Sequence, residues 1–297
     1  MSDAQSEARQ RERILDMQED VISGSFIRCT YDSLEQLAEA AKRRMTANTD
    51  ADMQPLGERW CLSTSFDQAL RMASTGWTEQ LQPALDLAYE AVSMCEREHD
   101  VMTPVMTFDV SGDFVDIGRY LSHEPECMVD FPLETVSKVG KVITICVGGF
   151  YSYAMSAPDL VRRGQVITAL CIALTRLGHN VEIWSDIAGK GHDERTKYSI
   201  RTLIKGVNDE IDPAKILMAF AHPLMFRRYG FAVMDGFPKP FAHNVGAQGG
   251  YYSTLDEIRQ DLPEGTIYLE GISTSYNRPD AHEELKGYLR ELGLLAE

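Results

Sequence analysis

The chain has 297 residues, 44% of them hydrophobic, and a formal net charge of −16 at pH 7. That length accommodates one large domain or two modest ones around a real core. The acidic balance disfavours a general grip on nucleic acid or on an anionic membrane, since both require a positive protein surface.

Residues 3–20 are densely charged and suit a surface helix or a partner-docking arm. Ser33 and Gln36 have capping-box spacing and open a helix through Leu34, Leu37, Ala40 and Ala41. Ser65 and Gln68 open a second, which carries Phe66, Leu70 and Met72 and ends near Gly76-Trp77. A third is predicted from Gln82 to Glu98, with Leu85, Ala88, Ala91, Val92 and Cys95. The first hundred residues therefore read as mostly helical, with nothing catalytic in them. From Met102 to Pro132 the texture is mixed: a strand and turn at VMTFDVSGD, a short helix at VDIGRYL and a strand at CMVDF.

Lys141 to Trp184 organises the rest. KVITICVGG is a β-branched run closed by Gly148 and Gly149 and reads as a buried strand. The following helix places Leu160, Ile167, Leu170, Cys171, Leu174 and Leu177 on one face, with Arg162, Arg163, Gln165 and Arg176 largely opposite. Gly178 ends it, and Val181–Trp184 resumes as a strand, giving a βαβ unit. DIAGKGHDE is a turn cluster, and YSIRTLIKG alternates as a strand does. Asp212 caps a helix with Pro213 at its first position, Pro223 predicts a kink or break, and Gly230 closes it. FAVMDG then reads as a short strand ending in Asp235-Gly236. An aromatic, Pro- and Gly-rich surface loop leads to a helix at LDEIRQDL, a strand at TIYLEGI and a last helix from about Pro279 to Leu292.

These elements predict an α/β fold, an open and mainly parallel sheet with helices on both faces, spanning 135–297. A helical region, 1–100, and a mixed connecting segment, 101–134, precede it. Six separated cysteines without a C-x-x-C read as core hydrophobes of a reducing compartment. No signal-peptide core or membrane span is predicted, so a cytoplasmic location is expected.

Strand, helix, strand, strand, helix, strand, helix, strand over 141–273, with a helix opening VRRG-x-x-I-x-x-L, resembles the von Willebrand factor A fold. The likeness is strongest to intracellular versions encoded beside MoxR-type or chelatase-type AAA+ ATPases, and the chain also resembles proteins of tailed bacteriophages and mobile elements. The resemblance implies a divalent cation, Mg²⁺ or Mn²⁺, held by an Asp-x-Ser-x-Ser loop after the first strand, a Thr, and an Asp after the fourth. Here that loop reads Gly148-Gly149-Phe150-Tyr151-Ser152-Tyr153, and Asp235 alone matches the last Asp by position. The implied metal site is therefore degenerate. Asp109-x-Ser111 starts correctly, but Asp113 replaces the last Ser, and a turn explains the segment without a metal.

Other motifs stop short of chemistry. Gly189-Lys190-Gly191 lacks the frame of a P-loop, and Gly148-Gly149 lacks G-x-G-x-x-G. No H-E-x-x-H or G-x-S-x-G occurs. His222-Pro223 on an apolar helix reads as a packed imidazole. The expected function is thus a non-enzymatic protein-interaction or assembly-adaptor module, phage or mobile-element encoded, with an AAA+ ATPase implied as partner by the resemblance. The expected contact surface is the sheet's carboxyl edge, through Gly148, Gly149, Tyr151, Ser152, Asp186 and Asp235. The aromatic loop would add Phe237, Phe241, Tyr251 and Tyr252, unless it packs against the N-terminal half instead. The alternatives are an enzyme using the same edge, with Asp235, Asp186 and Asp109 as acids, and a virion structural component.

Overall fold

A computed structural model describes residues 20–45, 65–99, 102–104, 107–130, 133–135, 140–151, 155–239, 241–245, 250–252, 262–272 and 280–296. Its strands are β1 (Asp20–Ser23), β2 (Phe26–Tyr31), β3 (Met102–Pro104), β4 (Thr107–Asp109), β5 (Phe114–Val115) and β6 (Met128–Asp130), then β7 (Leu133–Thr135), β8 (Val142–Gly148), β9 (Asn180–Gly191), β10 (Lys197–Lys205), β11 (Gly250–Tyr252) and β12 (Ile267–Leu269). Its α-helices are α1 (Leu34–Arg44), α2 (Phe66–Thr75), α3 (Gln82–His99), α4 (Ile117–Leu121), α5 (Ala157–Arg176), α6 (Pro213–Ala221), α7 (Phe231–Asp235), α8 (Phe241–Val245) and α9 (Ala281–Glu291), with a π-helical turn at Met225–Gly230. Among the described residues no helix is long and apolar enough to cross a membrane.

The central sheet runs β1-β2-β10-β9-β8-β12. Along that path β2–β10, β9–β8 and β8–β12 are parallel, while β1–β2 and β10–β9 are antiparallel. The βαβ unit β8–α5–β9 is present, and Asp193 shapes the β9–β10 hairpin by accepting hydrogen bonds from the Arg195 and Thr196 amides and the Thr196 hydroxyl. β9 outruns β8: β8 pairs with Asn180–Asp186, and β11 takes up Gly189–Gly191.

Two expectations change here. The N-terminal hundred residues hold the three expected helices, but they also supply β1 and β2, which extend the sheet beyond β10. Ile27, Cys29 and Tyr31 alternate inward there, and Gly24 turns the hairpin with a φ of +60°. The described helices other than α4 also gather on one face of the sheet rather than on both. Ile27, Ile145, Ile183, Ile187 and Ile200 face them, in two adjoining apolar clusters. The reason is the antiparallel hairpin: β10 returns the chain to the end from which α6 runs back beside α5. The opposite face carries Arg28, Cys146, Glu182, Trp184, Asp186, Ser199 and Arg201, as the strand registers require.

α5 is the pivot of the helical layer and packs against α3, α6 and α9. Ser156 caps it by accepting from the Asp159 amide. Leu160, Ile167, Leu170, Cys171 and Leu174 are buried as expected, each such leucine contributing roughly 1.5–3 kcal/mol. Enclosure by neighbours also buries Arg163 and Gln165, which the sequence pattern had placed outward. Gly164 makes the α5–α6 crossing possible, since a Cβ there would lie 2.2 Å from the Cβ of Ala221.

Candidate functional site at the carboxyl edge of the central sheet

β8 leaves the sheet at Gly148, and the Gly149 amide donates to the Asp186 carbonyl at 2.8 Å. The chain after β8 meets the chain after β12: the Ile272 amide donates to the Phe150 carbonyl at 3.1 Å. The approach is tight, because a Cβ on Gly148 would lie 2.5 Å from the Gly271 nitrogen. Between this junction, α5 and the end of α6 lies a cleft lined by Phe150, Tyr151, Arg163, His222, Met225 and Ile272 among others. Its free space is about 20 Å³, enough for one water.

The polar side chains of the cleft wall, Tyr151, Arg163 and His222, each make hydrogen bonds. The Tyr151 hydroxyl donates to the Pro223 carbonyl at 2.8 Å, and its ring meets Phe226 edge-on at 5.1 Å. Arg227 lies over the same ring at 5.0 Å. Arg163 donates to Glu284 and to the Tyr288 hydroxyl, both at 3.4 Å, and to the Glu270 carbonyl. His222 follows the end of α6, where Pro223 breaks the helix as the sequence predicts. Its Nδ1 accepts from the Leu224 amide at 3.2 Å, and its ring packs edge-on against Trp77 at 4.7 Å. Burial, reinforced by Arg228, pulls its pKa down to about 4, so the ring is neutral near pH 7.

Asp186 is fully buried on the polar face of the sheet. The Ser199 hydroxyl donates to it at 2.8 Å, and Arg201 donates through Nε at 3.3 Å and Nη2 at 3.2 Å. Burial pushes its carboxyl up, while Arg201 and Ser199 pull it down. The hydrogen bonds fix Asp186 in place, and its carboxyl lies above its ordinary range because burial outweighs the nearby guanidinium groups of Arg201 and Arg28.

Several predicted positions fall elsewhere. Asp235 does not end a strand. FAVMDG continues the π-helical turn as α7, with Gly230 itself in a right-handed helical conformation. A short apolar run fits a buried helix as well as a strand, and burial of Ala232, Val233 and Met234 selects the helix. Asp235 thus sits at a helix end, next to Gly236, whose backbone lies against Arg44 of α1. Phe237 and Phe241 belong to the core and not to an exposed loop: they join Tyr198 and Ile187 in the larger apolar cluster. Phe237 packs against Tyr198 of β10 with ring centroids 6.4 Å apart, and α8 packs against β9. Tyr251 and Tyr252 lie in β11, paired with Lys190 and Gly189. Ser152 and the predicted helix LDEIRQDL lie outside the described residues. Asp109 is exposed on β4, and among the described residues no three His, Cys, Asp or Glu side chains converge as metal ligands.

The structure therefore brings Gly148, Gly149 and Tyr151 together at one edge, sends Asp186 through to the other face, and leaves Asp235 apart. Arg163 and His222 complete the cleft. Arg163 escaped sequence reasoning because its partner, Glu284 on α9, is 121 residues away. No curated protein and no solved structure matches the chain. Residues 17–296, which include every element of this edge, match the model of a domain of unknown function, and the chain belongs to that family, DUF7192.

Proposed function

We propose that this protein is a non-enzymatic protein-interaction or assembly adaptor built on a degenerate von Willebrand A-like core. The order of β8, α5, β9 and the antiparallel β10, with β12 parallel on the far side of β8, supports the core reading. The size of the cleft carries the adaptor reading: among the described residues it offers about 20 Å³, room for a water, at the edge where open α/β sheets take their ligands. Its walls are mostly apolar side chains, and Tyr151, Arg163 and His222 are each held by protein partners. On this reading Gly148, Gly149, Tyr151 and the backbone of β11 frame a contact surface, and Asp186 steadies the sheet beneath it. The partner is an AAA+ ATPase, and the chain is phage or mobile-element encoded; the resemblance of the βαβ region supports both points.

One observation favours the rival reading of an enzyme, namely that Arg163 and His222 reach the same cleft wall. Thermal unfolding with Mg²⁺, Mn²⁺ and nucleotides separates the two. The adaptor leaves the midpoint unmoved, whereas an enzyme site raises it by about 2.7 kcal/mol of stabilisation at a hundredfold excess over Kd. A shift of that size that Asp235→Ala or Arg163→Met abolishes would replace the adaptor by a catalyst.

A further inference from the structure

Between α3 and β8 the chain leaves the central sheet and builds a small unit of its own. β4, β6 and β5 form a three-stranded antiparallel sheet that shares no pairing with the central one. α4 connects β5 to β6 and is capped by Asp116, which accepts from the Arg119 amide at 2.9 Å. The Asp116 amide in turn donates to the Cys127 carbonyl at 2.8 Å. Arg119 lies 3.8 Å over the Phe108 ring. The unit is therefore ordered by its own contacts.

Its apolar side chains nevertheless point outward. Val110, Phe114, Val115, Ile117, Tyr120 and Leu121 are between 49% and 71% exposed, and they are six of the ten large apolar residues exposed among the described ones. Ile117, Tyr120 and Leu121 stand at i, i+3 and i+4 on α4 and form one stripe. Together the six display on the order of several hundred Å² of apolar surface, the range in which a patch on a soluble monomer marks an interaction site.

Charge narrows the occupant. Residues 107–130 hold six carboxylates, Asp109, Asp113, Asp116, Glu124, Glu126 and Asp130, against one cation, Arg119, a net charge of −5. That cation is engaged inside the unit, 3.4 Å from Glu124 and 3.3 Å from the Glu126 carbonyl. The unit that carries the apolar stripe is thus acidic, and its one cation is engaged within it. A second copy would set −5 against −5, on chains that each carry −16. An anionic bilayer would meet the same repulsion.

We propose that the arm formed by residues 107–130 docks, through its apolar stripe, into an apolar groove with a Lys- and Arg-rich rim on a partner protein. This rests on the adaptor reading and names the chemistry of the partner. The available area falls below the roughly 800 Å² per partner of a stable interface, so the contact is transient and salt-sensitive. Complementary charge sets its rate of encounter and its register.

Titration of the intact protein with a fluorescently labelled amphipathic Leu/Lys peptide tests this, with a Leu/Glu peptide of the same apolar face as control. Sedimentation velocity of the protein alone completes the experiment. The expected result is a monomer that binds the Leu/Lys peptide, and binds it about tenfold more weakly (~1.4 kcal/mol) in the charge-neutral double variant Ile117→Ser/Leu121→Ser. The thermal midpoint of that variant should match the parent's, because both residues are exposed. Failure to bind the Leu/Lys peptide, equal binding by the double variant, or preference for the Leu/Glu peptide overturns the proposal. Self-association lost in the double variant overturns it too, by making a second copy the occupant. A nucleotide- or metal-dependent thermal shift would instead remove the adaptor reading and leave this titration standing.

Discussion

The body of the protein and the arm at 107–130 use the same residue types in opposite ways. In the body Leu170 and Leu174 are buried between the sheet and neighbouring helices, and Asp20 and Asp186 are paired with Arg44 and Arg201 at 2.8 and 3.2 Å. In the arm Ile117 and Leu121 face outward, and Asp109 and Asp113 lie exposed. The difference follows from layering. α5 has a sheet beneath it and helices around it, whereas strands of two or three residues and a five-residue helix are too short to bury their own apolar side chains. Composition alone does not distinguish a core from a contact surface; the number of neighbouring layers does.

The sharpest way to break this comparison is at Asp186. Asp186→Ala leaves the Arg201 guanidinium, whose side chain is only 12% exposed, without its carboxylate. It should cost about 3–5 kcal/mol in urea denaturation, against less than about 0.5 kcal/mol for Asp113→Ala. Equal costs would mean that the polar face of the sheet behaves as solvent-exposed surface. Next comes a pair of leucines. Leu174→Ala in the core should cost about 2–5 kcal/mol, and Leu121→Ala on the arm less than about 0.5 kcal/mol. The smallest effect at neutral pH comes from His222. Its pKa is depressed to about 4 in the folded protein, so the unfolded chain takes up a proton first as pH falls. Its contribution is complete above the unfolded value near 6.5. Between there and pH 4 it is lost at about 1.4 kcal/mol per pH unit. The difference between stability–pH curves of the parent and His222→Phe should show that slope, and parallel curves would contradict the buried neutral ring.

What the sequence makes legible is local. Ser33, Ser65 and Asp212 cap helices as their spacing predicts, the βαβ unit is present, and Pro223 breaks its helix, whereas β9 runs on to Gly191 through the residues expected to turn. Each of these depends on neighbours within a few residues. The remainder depends on distant partners. Arg163 reads as a surface residue until α9 brings Glu284 to it, and Phe237 and Phe241 read as a sticky loop until β9 and β10 draw them into the core. Phe26–Tyr31 carries a period-two signal, with Ile27, Cys29 and Tyr31 inward, but it is short and lies unmarked between the charged run and the helix that Ser33 opens. The expected metal position shows the same limit. Asp235 matched by order along the chain, and its place in space was set by how Ala232, Val233 and Met234 pack. The arm escaped notice because its short helix and strands looked like a connection.

The unequal lengths of β9 and β8 have a consequence for any shortened version of the chain. The final three residues of β9, Gly189–Gly191, have β11 as their ladder partner on the side that β8 has vacated. Ending the chain before residue 250 would strip those rungs and bare a ready template for strand exchange between molecules. Fragments cut there would clump for reasons of backbone chemistry, whatever the health of their hydrophobic interior.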